Sequence, residues 1–504
     1  MLLKLEGGAP LYLQVYRALW RAIEDGRFPA SSRLPGTRTL ARQLGVSRTV
    51  VLQAFEQLES EGVVAGNRGS GTYVRGRAKA SSLPALRSTG EFDHGATGAQ
   101  LRGNLPGPSP WGLRARDVVP TPSPFSEGEF DNVVDLADPH DFQDAQGTRR
   151  WRQTLLESLD ERGDAPRDAR GLPELRRALA LELHQSRGMR VDPDDILIVA
   201  GIQQARDLTA RVLVQPGMSI AIEEPCDPSV RTTFAAAGAR LVPCPVGDNG
   251  FDIERCADDL AEASLIYVMP SQQFPTGVVM GERQRANLLN WAYLRGAYVI
   301  EDDFEPDHQL VSMAAPPLLA VDQREQVIYI GAFAREFFPA LHMAYVVVPR
   351  ELRPFFAAAK WIADSGARFL MQRVLARYLS TGDYQRNLRR LSVLLEGSRK
   401  KLLDSLRRYF GDCAVAEGVT VGGTLLIHFL DLPRALTESF ILHARNHGVR
   451  IASAHTYYAN PVKHVTLLVR YAHVPSEHLD GALCRLGQAY REIAPPLALR
   501  AIGH

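Results

Sequence analysis

Between residues 10 and 76 the apolar positions predict three helices followed by two short strands. Each helix carries its apolar residues at helical spacing. Gly45 suits the tight turn between the second and third helices, and Val46 with Ser47 resembles a staple and an N-cap. Residues 63–64 and 72–74 form a β-hairpin around a turn at residues 66–71. The helical apolar residues are Leu11, Val15, Leu19 and Ile23, then Leu40, Ala41 and Leu44, then Val50, Val51, Ala54, Phe55 and Leu58.

From about residue 165 short apolar runs alternate with amphipathic stretches such as residues 172–185. This alternation predicts a mostly parallel sheet covered by helices on both faces. Ligands of such sheets bind at the carboxyl ends of the strands. A long helical pattern over 391–410, with apolar runs at 421–428 and 465–471, predicts a smaller α+β unit. The predicted strands are residues 196–200, 220–222, 265–268, 298–300, 327–330 and 345–348.

Residues 77–127 are rich in Pro, Gly, Ser and Ala and show no sustained periodicity. Such a composition predicts a linker between two domains. An alternative is that part of this stretch packs on the second domain, with Trp111 as an anchor. We therefore predict a DNA-binding domain over 1–76, a linker over 77–127, a large domain over 128–390 and a small domain over 391–504.

The composition argues against a membrane-spanning, a secreted or a disulfide-rich protein. The chain has 504 residues, of which 45% are hydrophobic, and a net charge of +1. No segment approaches the roughly 18 unbroken apolar residues of a membrane span, and the N-terminus lacks a signal-peptide pattern. The five cysteines are widely spaced and odd in number, which favours neither a disulfide framework nor a zinc site. These features predict a cytoplasmic protein without a metal site.

Positive charge is concentrated at the N-terminus. Residues 1–76 hold ten Lys and Arg against six Asp and Glu, a net of +4. Local positive charge is typical of phosphate contact. The apolar face of the third helix leaves Arg48, Thr49 and Gln53 outward, where a recognition helix meets DNA. The alternative is a generic helical hairpin, but the charge favours DNA binding.

The stretch from Pro10 to Val64 resembles, without gaps, the winged-helix domain of GntR-type bacterial regulators. This resemblance implies contacts with double-stranded operator DNA. The implied contact residues are Arg38, Arg48 and Thr49, with Arg68, Gly69 and Gly71 in the wing.

Further stretches resemble the fold-type I aminotransferase domain. They include MPSQQFPTGVVM, YVIEDDFEPD and YIGAFAREFFPALHMAYVVVP. A chain in which such a domain follows a GntR-type winged helix is similar to the MocR/GabR-type regulators. The resemblance implies that the large domain binds pyridoxal 5′-phosphate (PLP), senses small molecules and forms a homodimer, commonly head to tail.

The position of the Schiff-base lysine departs from the family pattern. The family stretch Ser-Lys-Thr-Leu-Phe-Pro-Ala-Leu-Arg is here Ala-Arg-Glu-Phe-Phe-Pro-Ala-Leu-His, which places Arg335 at the lysine. A guanidinium stays protonated and offers no free amine to an aldehyde. The chain has no lysine between Lys79 and Lys360. We therefore predict that no covalent PLP imine forms and that transamination is absent.

Other pocket positions implied by the resemblance have also changed. The phosphate-binding arginine falls at His342, the ring-facing tyrosine at Phe304 and the stacking tyrosine at Asp227. The arginine for a substrate carboxylate falls at Leu468, with Arg470 two residues later as an alternative. Each lost contact weakens noncovalent PLP binding by about 1 kcal/mol or more.

Three expected pocket features remain. Asp302 matches the partner of the pyridine nitrogen, although a purely structural carboxylate is an equal alternative. Gly201 and Gln203 retain the turn at the strand end, and Gln273 follows another strand. Arg335 has two alternatives: it recognises an anionic effector bidentately, or it forms an internal salt bridge to Asp302 or Asp227.

The sequence therefore predicts a DNA-binding transcriptional regulator whose aminotransferase-like domain senses effectors and dimerises without catalysis. One alternative is a PLP-binding regulator or PLP-dependent aminotransferase with an accessory DNA-binding domain. Another is a regulator whose large domain is a dimerisation scaffold without a ligand.

Overall fold

A computed structural model describes residues 10–60, 62–67, 71–75, 108–116, 133–137, 145–159, 168–256, 260, 262–303, 315–333, 341–365, 369–417 and 423–494. The chain separates into two compact units, residues 1–106 and 107–504. Within these ranges, no helix is both long and apolar enough to cross a membrane.

The first unit is a three-helix module with a β-hairpin. The helices pack around a core that includes Val15, Leu19 and Val51, none of which is accessible to solvent. The two strands pair in antiparallel register. The elements are α1 Leu11–Glu24, α2 Thr37–Leu44, α3 Arg48–Ser60, β1 Val64–Asn67 and β2 Gly71–Val74.

Local sequence sets the turn between α2 and α3. Gly45 ends α2 with a φ of 66°, the left-handed conformation that glycine adopts without a steric penalty. The Ser47 hydroxyl accepts a hydrogen bond from the Val50 amide at 3.4 Å. The expected core position of Leu11 is wrong: its side chain is 51% exposed in the first turn of α1, whereas Ala22 is buried.

The second unit begins with elements that precede its main sheet in the chain. They are α4 Pro110–Arg116, β3 Val134–Asp135, α5 Ala145–Leu159 and α6 Pro173–Arg187. Within the predicted linker, the Arg114 Nε donates to the Ala236 carbonyl at 2.9 Å, and the Arg211 guanidinium lies 6.0 Å from the Trp111 ring centre. This part of the linker therefore contacts the second unit.

The main sheet has eight strands in the order β4-β11-β10-β9-β8-β5-β6-β7. β11 is antiparallel to both of its neighbours, and β7 is antiparallel to β6, whereas the other pairs are parallel. The mostly parallel sheet is confirmed. Its elements are β4 Ile196–Val199, α7 Ile202–Leu213, β5 Ser219–Glu224, α8 Pro228–Ala237, β6 Arg240–Gly247, β7 Gly250–Phe251, α9 Ile253–Cys256, β8 Ala263–Val268, α10 Glu282–Arg295, β9 Tyr298–Asp303, α11 Leu318–Val321, β10 Val327–Ala332 and β11 Ala344–Val347.

The remaining elements form a helical connection and a smaller α+β layer. A four-stranded sheet has the order β12-β13-β16-β15, and β14 pairs in parallel with β3. The Tyr457 carbonyl, in a 3₁₀ turn over His455–Tyr457, accepts a hydrogen bond at 3.0 Å from the Cys226 amide, which follows β5. The elements are α12 Arg353–Asp364, α13 Phe369–Ser380, α14 Asp383–Phe410, β12 Ala414–Glu417, β13 Thr424–Pro433, α15 Thr437–Asn446, β14 Val449–Arg450, β15 Ala452–Ser453, β16 His464–Arg470 and α16 Ser476–Ile493.

Helix α14 passes through two hydrophobic cores. Leu388 near its start packs with residues of the main sheet, and Leu406 near its end packs with the four-stranded sheet. The helix begins at Asp383, eight residues before the long helical pattern that we predicted at 391. The predicted boundary at 390/391 lies within this helix and stays a prediction.

Candidate functional site

The residues predicted to contact DNA lie on the surface of the first unit. Arg38 on α2 is exposed, as are Arg48, Thr49 and Gln53 in the first two turns of α3. An exposed helix N-terminus that carries a cation suits contact with a phosphate group.

The predicted wing is described only in part. Gly71 begins β2 with a φ of 117°, and a Cβ there would lie 2.5 Å from the Arg33 Nε. The positive φ therefore favours glycine at this position, whereas the exposed Arg33 side chain could move away from a Cβ. Arg68 and Gly69 lie outside the described residues.

In the second unit, Asp302 near the carboxyl end of β9 is fully buried and engages a buried cation. Its Oδ2 accepts from the Arg206 Nε at 3.0 Å and from Nη2 at 2.8 Å. The Tyr267 hydroxyl donates to the same oxygen. Since Tyr267 pairs with Ile300 across β8 and β9, Tyr267 and Asp302 point to the same face of the sheet.

Arg206 also reaches the start of α8. Its Nη1 donates to the Asp227 Oδ2 at 3.1 Å and to the Ser229 hydroxyl at 2.7 Å. The Asp227 Oδ1 accepts from the Ser229 amide and caps the helix. One arginine from α7 therefore joins two carboxylates and every one of its nitrogens is hydrogen bonded. We call Arg206, Asp227, Asp302, Tyr267 and Ser229 the Arg206 network.

Sequence reasoning missed Arg206 and its role. The helix that carries it buries Ala205, Leu208 and Thr209, so an arginine at 206 stands at the edge of a buried face. A charged side chain in that position is rarely buried without an opposite charge. The position of Arg206 beside the buried face of α7 was therefore the feature of the sequence that could have predicted a nearby carboxylate.

In the Arg206 network the opposite charges of Arg206 and the two carboxylates shift one another's pKa values towards the charged forms. Burial alone lowers the pKa of Arg206, but Tyr267, Asp302 and Asp227 raise it well above its ordinary value. Burial raises the pKa of the Asp227 carboxyl, and Arg206 with the Ser229 hydrogen bonds brings that pKa below its ordinary value. Burial raises the pKa of Asp302, against the opposing effects of Arg206 and Tyr267. The guanidinium therefore stays charged.

Two predicted pocket amides make contacts within the protein. The Gln203 Nε2 donates to the Thr233 hydroxyl at 2.7 Å. The Gln273 Nε2 donates to the Pro225 carbonyl at 2.6 Å, and its Oε1 accepts from the Thr276 amide at 3.1 Å. Gln203 therefore joins α7 to α8, and Gln273 joins the loops that follow β5 and β8.

Gly201 and His342 lie side by side. Gly201 caps α7 with a φ of 89°, and a Cβ there would lie 3.9 Å from the His342 carbonyl oxygen. His342 itself is exposed and has a φ of 41°.

Arg470 is the last residue of β16 in the smaller sheet. Its Nη1 donates to the Ala137 carbonyl at 2.6 Å, and its Nη2 donates to the Tyr457 hydroxyl at 3.3 Å. Burial raises the pKa of Tyr457, Arg470 lowers it and Asp227 raises it. Tyr457, which sequence reasoning missed, thus links Arg470 electrostatically to the Arg206 network.

Two predicted pocket residues, Phe304 and Arg335, lie outside the described residues. The salt bridge proposed between Arg335 and Asp302 or Asp227 therefore stays a prediction. In the described part of the chain, Arg206 is the arginine that pairs with both carboxylates.

The opposite face of the sheet carries a second set of buried carboxylates. Arg187 on α6 pairs with Asp303. The Glu301 carboxylate accepts from the Leu318 amide at 2.8 Å, and burial raises its pKa to about 7. Burial raises the pKa of Glu223 to about 8. Among the residues that the structure describes, no group of three or more His, Cys, Asp or Glu could hold a metal ion.

Comparison with known proteins matches both units. Residues 11–74 match the family model of bacterial regulatory proteins of the gntR family. Residues 141–483, more than half of the chain, match the model of class I and II aminotransferases. The chain belongs to the aminotransferase class I and II family. Together with the gntR-type domain, this confirms the resemblance to MocR/GabR-type regulators.

Relatives of this aminotransferase-family chain include helix-turn-helix regulators of similar length. An uncharacterised HTH-type transcriptional regulator, YdeL of Bacillus subtilis, is 28% identical over 96% of this chain and 97% of its own. The probable rhizopine catabolism regulatory protein MocR of Rhizobium meliloti is 29% identical over 88% of this chain and 86% of its own. A solved kynurenine aminotransferase of Pyrococcus horikoshii, in complex with PMP, superposes with a TM-score of 0.65. That structure is 22% identical and covers 72% of this chain and 92% of its own, which shows the shared fold.

Two described residues, Lys360 and Asp302, bear on whether the domain could hold PLP. Lys360, the lysine nearest in sequence to the strand ends, is buried on α12 and donates to both Asp364 oxygens, at 2.5 and 2.6 Å. The Asp302 Oδ2 is occupied by Arg206 and Tyr267, whereas Oδ1 is buried and has no hydrogen-bond partner within the described ranges. The carboxylate expected to meet a pyridine nitrogen therefore already carries a protein cation.

Proposed function

We propose that the protein is a DNA-binding transcriptional regulator whose aminotransferase-family domain acts as an effector-sensing and dimerisation domain without forming a PLP imine. The observation that carries this proposal is the gntR-type module of residues 11–74, with Arg38 and Arg48 exposed on two adjacent helices. We place the protein in the bacterial cytoplasm, bound to operator DNA.

Several features support DNA binding by α3. Its buried face includes Val51, Ala54 and Leu58, which fixes the helix on the module and leaves Arg48 and Gln53 outward. A homodimer would present two such helices, so the operator should contain two related half-sites, direct or inverted. A small, anionic effector would then alter how the two modules are presented.

Replacing Arg48 with alanine should weaken operator binding while leaving the fold and the dimer intact. Loss of one base or phosphate contact costs about 1–3 kcal/mol in protein–DNA complexes, and loss of a phosphate contact lowers the salt slope by about 1. Fluorescence anisotropy with an operator duplex, repeated at several salt concentrations, measures both quantities.

Arg27→Ala is the matched control for Arg48→Ala. Arg27 lies after α1, is 53% exposed and pairs with Asp25, so its loss removes the same charge from another part of the module. Equal operator affinity of Arg48→Ala and the wild type would contradict the assignment of α3 as the reader.

Two observations support the absence of an imine. The position of the family lysine is an arginine in the sequence, and Lys360 is paired with Asp364. Without a covalent imine, the substrate is not coupled to an electron sink and no lysine moves its α-proton. The domain is therefore proposed to be catalytically inactive.

Purified protein mixed with PLP should show no protein-bound imine band in its visible spectrum. Borohydride followed by intact-mass measurement should give no site-specific adduct, because a guanidinium does not attack the aldehyde. A single reducible adduct that maps to one lysine near the strand ends would instead favour the PLP-binding alternative. A thermal-shift screen of amino acids and phosphates separates a sensor from a scaffold without ligand.

A further inference from the structure

We propose that Arg206 is a built-in counter-ion that sets the ligand specificity of the effector site. It makes the site reject ligands with a cationic heteroaromatic ring and favour ligands that bring an uncharged N–H or O–H donor to Asp302. The inference rests on the proposed function, because it names the ligand class of the proposed effector domain.

The first step is the hydrogen bonding of Asp302. Its Oδ2 accepts from two nitrogens of Arg206 and from Tyr267. Its Oδ1 is buried and has no hydrogen-bond partner among the residues that the structure describes. A buried acceptor without a donor is costly, so a ligand that donates one hydrogen bond to Oδ1 would be stabilised there.

The second step is charge. The Asp302 side chain is fully buried and that of Arg206 is 3% exposed, so the two charges neutralise each other away from water. In PLP sites a carboxylate partner stabilises the protonated pyridine nitrogen. Here a protonated ligand ring bound to Asp302 would lie close to the Arg206 guanidinium. The two positive charges would repel each other strongly, because buried charges are weakly screened. A neutral donor would gain the hydrogen bond without that repulsion.

The third step is that Arg206 is held in place. Nη1 is bound by Asp227 and Ser229 on the α8 side, whereas Nε and Nη2 are bound by Asp302 and Tyr267 on the sheet. The guanidinium is thus fixed by residues from three segments of the chain, the start of α8, β8 and β9. A ligand cation would have to displace this internal cation rather than a solvent ion, and we infer that the site excludes it.

Calorimetric titration of the full-length protein with two probes tests the proposal. Pyridoxine 5′-phosphate has the ring nitrogen but no aldehyde, and its 1-deaza analogue is a benzene that differs from it only by a CH group in place of that nitrogen. With the wild type, the two affinities should agree within about threefold, or both should be undetectable, because the ring nitrogen gains nothing from a neutralised carboxylate. With Arg206→Leu, pyridoxine 5′-phosphate should bind at least about tenfold more tightly, whereas the benzene probe should not.

Two further variants act as controls. Arg206→Lys keeps a cation and should resemble the wild type, and Arg206→Leu with Asp302→Asn should lose the gain. Equal binding of pyridoxine 5′-phosphate to the wild type and to folded Arg206→Leu would overturn the proposal. If circular dichroism shows that Arg206→Leu is unfolded, the wild type decides. In that case, wild-type binding of pyridoxine 5′-phosphate about tenfold tighter than that of the benzene probe would overturn the proposal, and equal wild-type affinities for the two probes would support it. Operator binding by the wild type is measured separately, so a failure of the proposed DNA-binding function can be distinguished from a failure of this proposal about ligand specificity.

Discussion

Arg206→Leu should lower the free energy of unfolding of the second unit by about 3–5 kcal/mol, the usual effect of removing one partner from a buried ion pair. The reason is that Asp302 would remain buried without its cation, and Asp227 would lose the partner that holds it ionised. Urea denaturation followed by near-ultraviolet circular dichroism measures this change.

A double-mutant cycle separates the pair from the packing of the arginine side chain. Adding Asp302→Asn to Arg206→Leu should recover part of the loss, because the buried carboxylate is then absent. Arg211→Leu on the same helix is the matched control. Arg211 is 52% exposed and pairs with Asp207, so its loss should cost about 1 kcal/mol or less. Similar losses from Arg206→Leu and Arg211→Leu would refute the network as a stabilising element.

The second large effect is a pH dependence from Glu223. This side chain is 1% exposed, and burial raises its pKa from an ordinary 4.5 to about 8. The folded protein therefore holds a proton that the unfolded chain releases, so stability from this group is complete below about pH 4.5 and is lost as the pH rises towards 8. Since one pKa unit corresponds to about 1.4 kcal/mol, the loss over this range is on the order of 4 kcal/mol.

Glu223→Gln removes this titration while keeping the shape of the side chain. Between pH 5 and 8 the unfolding free energy of the wild type should fall by about 3 kcal/mol more than that of Glu223→Gln. The comparison uses slopes, because the new amide has a constant effect at every pH. Glu262→Gln is the control, since this carboxylate is 82% exposed and pairs with Arg240 at the surface. Parallel pH profiles of Glu223→Gln and the wild type would show that Glu223 titrates normally.

Much of the fold could be predicted because its signals are local. Helical spacing located α1 to α3, and apolar runs located β4, β5 and β8 to β11. Strand β6 was missed because only one of its eight residues, Cys244, is fully buried and it contains two prolines. Proline lacks the amide that a strand interior needs, so this pattern resembles a loop.

The site was harder to predict because its chemistry depends on distant residues. The resemblance placed Asp227 and Asp302 in one pocket, and the Arg206 network joins them. Their partner Arg206 stands in an amphipathic helix, where an arginine usually faces solvent. Tyr457 comes from the smaller sheet, more than 200 residues after Asp227, and no periodicity connects the two.

Arg206 and Asp302 are 96 residues apart in sequence. A contact between such distant residues requires a large loop to close, so we expect it to form after local helices and neighbouring strands have paired. Interactions that form after the folding transition state slow unfolding more than they speed folding. We therefore expect the arginine that neutralises the site to slow unfolding as well, which would extend the lifetime of the folded domain against proteases.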